Sequence, residues 1–253
     1  MSSSLIGQQS RSRVMREHWG SGDEATRRYK ERLAQLVEPG MWILHAGCGW
    51  DKKNVSRPYA NICKVVGVDL DPRVASMFHS EFQLGSLTAL PFEPASFDLI
   101  FCEYVVEHLD DPEGAFREMR RVLKPGGRIL LLTPNLYSYK VLAAACTPHS
   151  FHIWMGRIRY GRGQEADMYP TLYRCNTAAR FRRLAKQTGL ETVGVDLVTN
   201  GPTWFEKFPG LFEIFDLFHR TIARWDALRH LRCALIVELR NPEPAISMTQ
   251  GAR

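Results

Sequence analysis

The chain has 253 residues, 45% of them hydrophobic and 24% charged, with a formal net charge of +6 at pH 7. That is ordinary globular composition, enough for one domain with a sizeable core. The basic residues lie in mixed-sign runs such as FREMRRVLK and RFRRLAK, which read first as solvated helix faces, so a nucleic-acid partner is disfavoured.

Residues 1–22 are Ser- and Gly-containing and are expected to be flexible. A helix is expected over about 23–37, opened by Asp23 and Glu24, edged by Leu33, Leu36 and Val37, and ended by Pro39-Gly40. Five strands follow: WILHA (42–46), KVVGVD (64–69), FQLGS (82–86), FDLIFCE (97–103) and GRILLLTPN (127–135). They are continuously apolar rather than alternating, as strands covered on both faces are. The first crossover, DKKNVSRPYANIC (51–63), contains Pro58 and few apolar residues, so its helix should be short or broken. PEGAFREMRRVL (112–123) carries a helical stripe of Ala115, Met119, Val122 and Leu123, stopped by Lys124-Pro125-Gly126-Gly127.

Beyond Asn135, residues 136–176 are aromatic and too long for a plain connection, so a lid or substrate wall is expected there. A helix at 177–190, a strand at 191–198 and a last strand, ALIVELR (234–240), restore regularity. Residues 202–231 read as helical, with Leu211, Ile214, Phe215, Phe218, Ile222 and Trp225 on one stripe. The expected fold is α/β: a Rossmann-like, doubly wound, mostly parallel seven-stranded sheet with an inserted lid and a helical C-terminal excursion. Residues 23–241 would form one domain, followed by a flexible tail, 242–253.

The six cysteines (48, 63, 102, 146, 175 and 233) form no CxxC pair, which argues against a disulfide framework and fits a reducing, cytoplasmic setting. The N-terminus has no apolar core of signal-peptide length, and eighteen uninterrupted apolar residues occur nowhere.

In a doubly wound sheet, ligands sit at the carboxyl ends of strands where the strand order reverses. Here the first strand ends in Gly47-Cys48-Gly49, which lets backbone approach a ligand, and Asp69 ends the second strand some twenty residues on, where a carboxylate can accept ribose hydroxyls. Ser86-Leu87, after the third strand, could reach an adenine edge. This spacing points to an adenine nucleoside without separating a dinucleotide from S-adenosylmethionine.

The stretch LPFEPASFDLIFCEYVVEHLDDPEGAFREMRRVLKPGGRILLLTPN, with HAGCG and GVDLD upstream, resembles the class I S-adenosylmethionine-dependent methyltransferases, in the branch acting on small molecules, quinones, sugars and lipids. The resemblance covers roughly residues 40–135. It implies that Gly47, Cys48 and Gly49 wrap the methionine moiety, that Asp69 binds the ribose with Leu70 against the adenine, and that Ser86 and Leu87 flank that base. Cys102, Glu103 and Tyr104 would lie beside the methionine end and the transferable methyl. Three departures stand out: His45 replaces the family's acid, which helps receive the cofactor's ammonium, Asp51 replaces the third glycine, and the first crossover is weak. Asp51 could replace the missing negative charge or cap a short helix.

Methyl transfer to oxygen needs alignment and a base. His108 is the candidate base, with Glu107 beside it; alternatively this pair only bonds backbone at a helix start. Glu107 and His108 also match the end of the metal-holding ExxEH motif of some quinone and small-RNA O-methyltransferases, with Tyr104 in the first acid's place, Glu103 one residue out of register, and His149 or His152 as further ligands. No metal is assigned. The fourth strand is followed by CEYVVE and not by an Asn/Asp-Pro-Pro-aromatic run, which demotes base-amino methylation. No cysteine sits in a nucleophile motif for cytosine methylation.

The expected acceptor is therefore a small molecule, methylated on oxygen: a sugar, glycan or natural-product intermediate. MYPTLYRCNT (168–177) also looks like an element of methyltransferases from polysaccharide and natural-product pathways. Three other readings stay open: a non-catalytic binding or regulatory protein of the same fold, a lipid-directed enzyme, and an RNA-directed one. Residues 202–231 are expected to be a helical lid or dimer face packing on the core, with a protein-partner groove as an alternative; in the lipid reading they lie on a membrane surface with Arg220, Arg224, Arg229 and Arg232 at headgroups. A monomer or homodimer suits each.

Overall fold

The computed structural model describes residues 11–15, 17–20, 23–51, 53–145, 169–203, 205, 208 and 210–243. Helix α1 (Glu24–Leu36) begins at Asp23, whose side chain accepts from the Thr26 amide, so the first turn is capped by its own sequence. Then come β1 (Trp42–Ala46), β2 (Lys64–Asp69), β3 (Glu81–Leu84), β4 (Phe97–Glu103), α2 (Pro112–Val122) and β5 (Leu123–Pro134). Helices α3 (Tyr139–Ala145) and α4 (Ala178–Thr188), strand β6 (Glu191–Val198), helix α5 (Leu211–Arg224) and strand β7 (Ala234–Arg240) complete it. The seven strands form one sheet in the order β3-β2-β1-β4-β5-β7-β6. The first five are parallel, and β7 runs antiparallel to both β5 and β6.

Alternation along each strand splits the core into two layers. Leu44, Ile100, Cys102, Ile129 and Leu131 face α2 and α4, where Phe116, Met119 and Phe181 are fully buried. Ile43, Leu99, Phe101, Leu130 and Leu132 face α1, which inserts Tyr29 and Leu33. The Tyr29 hydroxyl donates to the Cys102 carbonyl at 3.2 Å, anchoring α1 behind the end of β4.

Four expectations are corrected. Lys124–Gly127 does not simply stop α2; it is an irregular start of β5, paired through Leu123 with Phe97, while the Lys124 ammonium bonds the Asp98 carboxylate at 2.8 Å. Strand β3 starts at Glu81 and ends at Leu84, before the predicted Gly85-Ser86. Residues 11–15 and 17–19, in the segment expected to be flexible, are helical, with Met15 buried and the Trp19 indole donating to Asp216 at 2.8 Å.

The fourth concerns 202–231, where among the described residues regular helix is confined to α5 and a 3₁₀ stretch, Asp226–Leu231. The stripe that packs inward is Phe212, Asp216, His219 and Ile222; Leu211, Ile214 and Trp225 of the predicted stripe are exposed. Sequence favoured the apolar ring, but the Trp19–Asp216 bond and the bond from His219 Nδ1 to the Asn200 carbonyl make a polar pair the inner face. Arg232 is not free for a headgroup either, because it donates to the Ile222 and Ala223 carbonyls at the C-terminal end of α5. Among the described residues, no helix is long and apolar enough to cross a membrane.

The reassigned face gives a direct check. Phe212→Ala, 2% exposed and outside the predicted stripe, should cost about 3–5 kcal/mol in urea unfolding, whereas Ile214→Ala, in the predicted stripe but 64% exposed, should stay within about 0.5 kcal/mol. The reverse order would restore the predicted stripe.

Candidate active site

Strand order places the site. The chain leaves β1 towards β2 and β3, then returns to add β4 on the other side, so the carboxyl ends of β1 and β4 flank the switch point. A cleft of about 670 Å³ opens there. Its floor is the turn after β1, tied to β2 by the Gly47 and Cys48 amides, which both donate to the Val68 carbonyl at 2.8 and 3.1 Å. Gly47 has φ +65°, and a Cβ there would lie 2.5 Å from Cγ2 of Val105, so only glycine closes this turn against the segment after β4. The Gly49 amide donates to the Asp69 carboxylate at 2.9 Å, joining the ends of β1 and β2 beside the switch point, while the other Asp69 oxygen accepts from the Asp71 amide at 3.0 Å.

Most predicted residues converge on this cleft: His45, Gly47, Cys48, Gly49, Asp51, Asp69, Leu70, Ser86, Leu87, Glu103, Tyr104 and His108 all line it. Two do not. Cys102 is fully buried, because alternation along β4 turns its side chain into the α2–α4 layer, and burial pushes its thiol well above the usual range. Glu107 is also buried and off the cleft. Its carboxylate accepts from the Thr133 hydroxyl at 2.9 Å, and its backbone carbonyl takes the Leu172 and Tyr173 amides at 2.7 and 3.0 Å. Glu107 therefore anchors the wall after residue 169 and does not touch a substrate. His149 and His152 lie outside the described residues, and among those described no group of three His, Cys, Asp or Glu side chains could hold a metal ion.

Each departure in the loop has a physical reading. Asp51, at φ +43°, spends its carboxylate on the Val55 and Ser56 amides, 2.7 and 3.2 Å, and on the Ser56 hydroxyl, 2.9 Å. It thus folds a crossover whose only helical piece is the 3₁₀ turn Arg57–Tyr59, as the sequence predicts. His45 is 1% exposed, stacks on Phe101 with centroids 4.4 Å apart, and neither ring nitrogen has a hydrogen-bond partner. Burial lowers its pKa to about 4, with Asp51 opposing and His79 reinforcing the shift, so the imidazole is neutral.

On the rim, His108 Nδ1 lies 2.9 Å from the Pro170 carbonyl oxygen. A carbonyl only accepts, so Nδ1 carries the proton and Nε2 keeps its lone pair. Tyr104, at the end of β4, has φ +56°, a strained position of the kind that clusters at ligand sites. Several lining residues escaped sequence reading, among them Trp50, Val105, Lys53, Asp71 and Asp110. Lys53 sits in a run without periodicity; its ammonium bonds Asp23 and Thr26 of the α1 start and lies 4.5 Å over the Tyr104 ring. Only the tight fit of Gly47 against Val105 could have marked the latter.

Residues 44–131 match the family model described as a methyltransferase domain. Residues 44–131 thus carry a class I S-adenosylmethionine-dependent methyltransferase domain. Over 131 residues, 48% of the chain, it is 34% identical to a malonyl-[acyl-carrier protein] O-methyltransferase of Erwinia pyrifoliae, covering 49% of that protein. Over 89 residues, 35% of the chain, it is 37% identical to a ubiquinone/menaquinone biosynthesis C-methyltransferase of Salmonella arizonae, covering 35% of it. The chain thus spans less than half the length of the curated relatives it matches. In fold it is similar to geranyl diphosphate C-methyltransferase of Streptomyces coelicolor, solved with S-adenosyl-L-homocysteine: TM-score 0.56, 14% identity, over 85% of this chain and 80% of that one.

The cleft suits the family's cofactor. Among the described residues it is lined by the carboxylates of Asp51, Asp69, Asp71, Glu103 and Asp110 against Lys53 as the single lysine or arginine, in a chain whose net charge is +6. An acid-rich cleft favours a ligand carrying cationic groups, and Glu103 Oε2, buried without a partner, asks for a donor.

Burial raises the Glu107 carboxyl from its ordinary 4.5 to about 7, with its hydrogen bonds, including Thr133, opposing. Between those values the folded protein binds more protons than the unfolded chain, so this group makes stability fall as pH rises. Glu107→Gln, which keeps an acceptor for Thr133, should add on the order of 2 kcal/mol of stability at about pH 8. It should also shrink the slope between about pH 5 and 7 in urea melts, leaving the like-signed contribution of Glu103. An unchanged slope would show that the Glu107 carboxyl is not its source.

Proposed function

We propose that this chain transfers a methyl group from S-adenosylmethionine to an oxygen of a small-molecule acceptor, a sugar, glycan or natural-product intermediate. The observation that carries the cofactor half is the acid-rich cleft at the switch point with no α-helix after β1. A dinucleotide needs the helix N-terminus that follows a glycine turn to receive its pyrophosphate, and five lining carboxylates would repel that group. A nucleoside bearing a sulfonium and an amino acid has neither requirement.

When bound, the cofactor supplies an electrophilic methyl on a positively charged sulfur, so the protein's share is alignment, exclusion of water and proton removal. Asp69 accepts the ribose hydroxyls while the Gly49 amide holds the carboxylate in place. Leu70, 66% exposed at the lip, offers an apolar face to the adenine, and the Ser86-Leu87 turn flanks it. His108 Nε2 takes the acceptor's proton, and the Pro170 carbonyl fixes the tautomer that can do so. The aromatic wall of Tyr169 stands against the His108 ring, centroids 6.1 Å apart.

A carbon acceptor is the second reading, favoured by the C-methyltransferase relative. An acidic carbon would use the same base, and the mass and NMR spectrum of the product separate the two.

Calorimetric titration with S-adenosylmethionine and S-adenosylhomocysteine should give micromolar binding of both. A folded protein that binds neither would sink the cofactor assignment. Asp69→Ala should weaken either ligand by about 100-fold or more while the unfolding midpoint stays near wild type, since two charge-assisted hydrogen bonds are lost. Unchanged affinity would undo the ribose assignment. His108→Ala should lower kcat by about 10²- to 10⁴-fold with cofactor affinity intact. Wild-type rates across the pH range would remove it as the base, and a wild-type protein that binds cofactor yet turns over no acceptor of these classes would favour a binding role.

A further inference from the structure

The amino-acid end of the proposed cofactor carries one ammonium and one carboxylate, and the cleft holds few charges free to meet them. Of the lining carboxylates, Asp51 is spent on Val55 and Ser56, and Asp69, held by the Gly49 and Asp71 amides, is taken up by the ribose in the reading above. Asp71 is spent on the Arg73 side chain at 2.9 Å, and Asp110 pairs with Arg174 at 2.6 Å from an 81% exposed position. Glu103 differs from all four. It ends β4 on the cleft, and its Oε2 is buried with no hydrogen-bond partner among the described residues. A buried carboxylate oxygen left unmet is costly unless a ligand supplies the donor.

The opposite charge comes from the crossover after β1. Lys53 is the single lysine or arginine among the described lining residues, and its ammonium is held over the next residue, Tyr104, by Asp23 and Thr26. It is also the charge that most opposes the upward push of burial on Glu103, so the two side chains already feel one another. His45 closes the third side from β1, with both nitrogens unpartnered and with no positive charge to repel an ammonium.

We propose that this end of the cleft is a charge-matched clamp for an α-amino-acid moiety, in which the Glu103 carboxylate receives the ammonium and the Lys53 ammonium receives the carboxylate. The clamp rests on the cofactor reading above. It moves the acidic partner of the ammonium from the first strand, where His45 stands, to the end of the fourth. The positive φ of Tyr104 sits between the two charged contacts and holds its ring beneath the Lys53 ammonium. The charged groups that reach Glu103 from the surrounding elements are Lys53 and Asp51 of the crossover and Lys30 and Asp23 of α1 and its cap.

The test is calorimetric and needs no acceptor: wild type, Glu103→Gln and Lys53→Met are each titrated with three ligands. These are S-adenosylhomocysteine, its decarboxylated form, and 5′-methylthioadenosine, which lacks the amino acid. Glu103→Gln should weaken both amine-bearing ligands by about 10- to 100-fold and leave 5′-methylthioadenosine within about twofold. Lys53→Met should weaken S-adenosylhomocysteine alone. Unchanged affinity of Glu103→Gln for S-adenosylhomocysteine, or an equal loss for all three ligands, overturns the clamp while leaving the cofactor reading in place. If wild type binds none of the three, the cofactor reading falls and the clamp with it.

Discussion

The hydrogen bond from the Gly49 amide to the Asp69 carboxylate is the contact on which the site depends. It joins the ends of β1 and β2 at the switch point, fixes the height of the glycine turn, and aims a carboxylate over the floor of the cleft. Everything else at the floor is placed relative to it. Gly47 presses against Val105 because the turn is held at that level, and Asp51 then folds the crossover in place of a helix. The bond is short, between a charged acceptor and a backbone donor, and sits where strand register leaves little freedom.

The absence of a regular helix after β1 changes what the fold can hold. Open α/β sheets commonly present a helix N-terminus at this point, and with it a positive end for phosphate. Here the same place carries Asp51 and a 3₁₀ turn, and the cleft is acidic although the chain is basic. Electrostatics and backbone geometry thus select against diphosphates and for ligands with cationic groups. The buried neutral His45 agrees with this selection, since a protonated ring there would work against it.

WILHA, KVVGVD and FDLIFCE were legible in the sequence because parallel strands covered on both faces are short, unbroken apolar runs; the antiparallel ETVGVDLV and ALIVELR also fall within the bounds read for them. The cofactor-side residues were legible for a similar reason, since strand ends at a switch point are fixed by topology. Cys102 was misplaced because adjacency in sequence to Glu103 is opposition in a strand. Glu107 was misread because a buried carboxyl bonded to Thr133 looks, in one dimension, like a partner for His108. Lys53 was invisible: it arrives from an irregular loop, and only its contacts with Asp23, Thr26 and Tyr104 give it a place. The inner face of α5 was hidden because two of its members, Asp216 and His219, are polar and are satisfied by residues far away in the chain.

The bond between His108 and Pro170 couples two parts that are otherwise separate in the sequence. Residues 169–173 hang from the Glu107 carbonyl, and the same stretch decides which nitrogen of the neighbouring imidazole is protonated. The wall that would recognise an acceptor and the group that would deprotonate it are therefore one module. Grafting a different wall to change what the protein accepts would also reset the imidazole's proton, so specificity and reactivity at this site must evolve together.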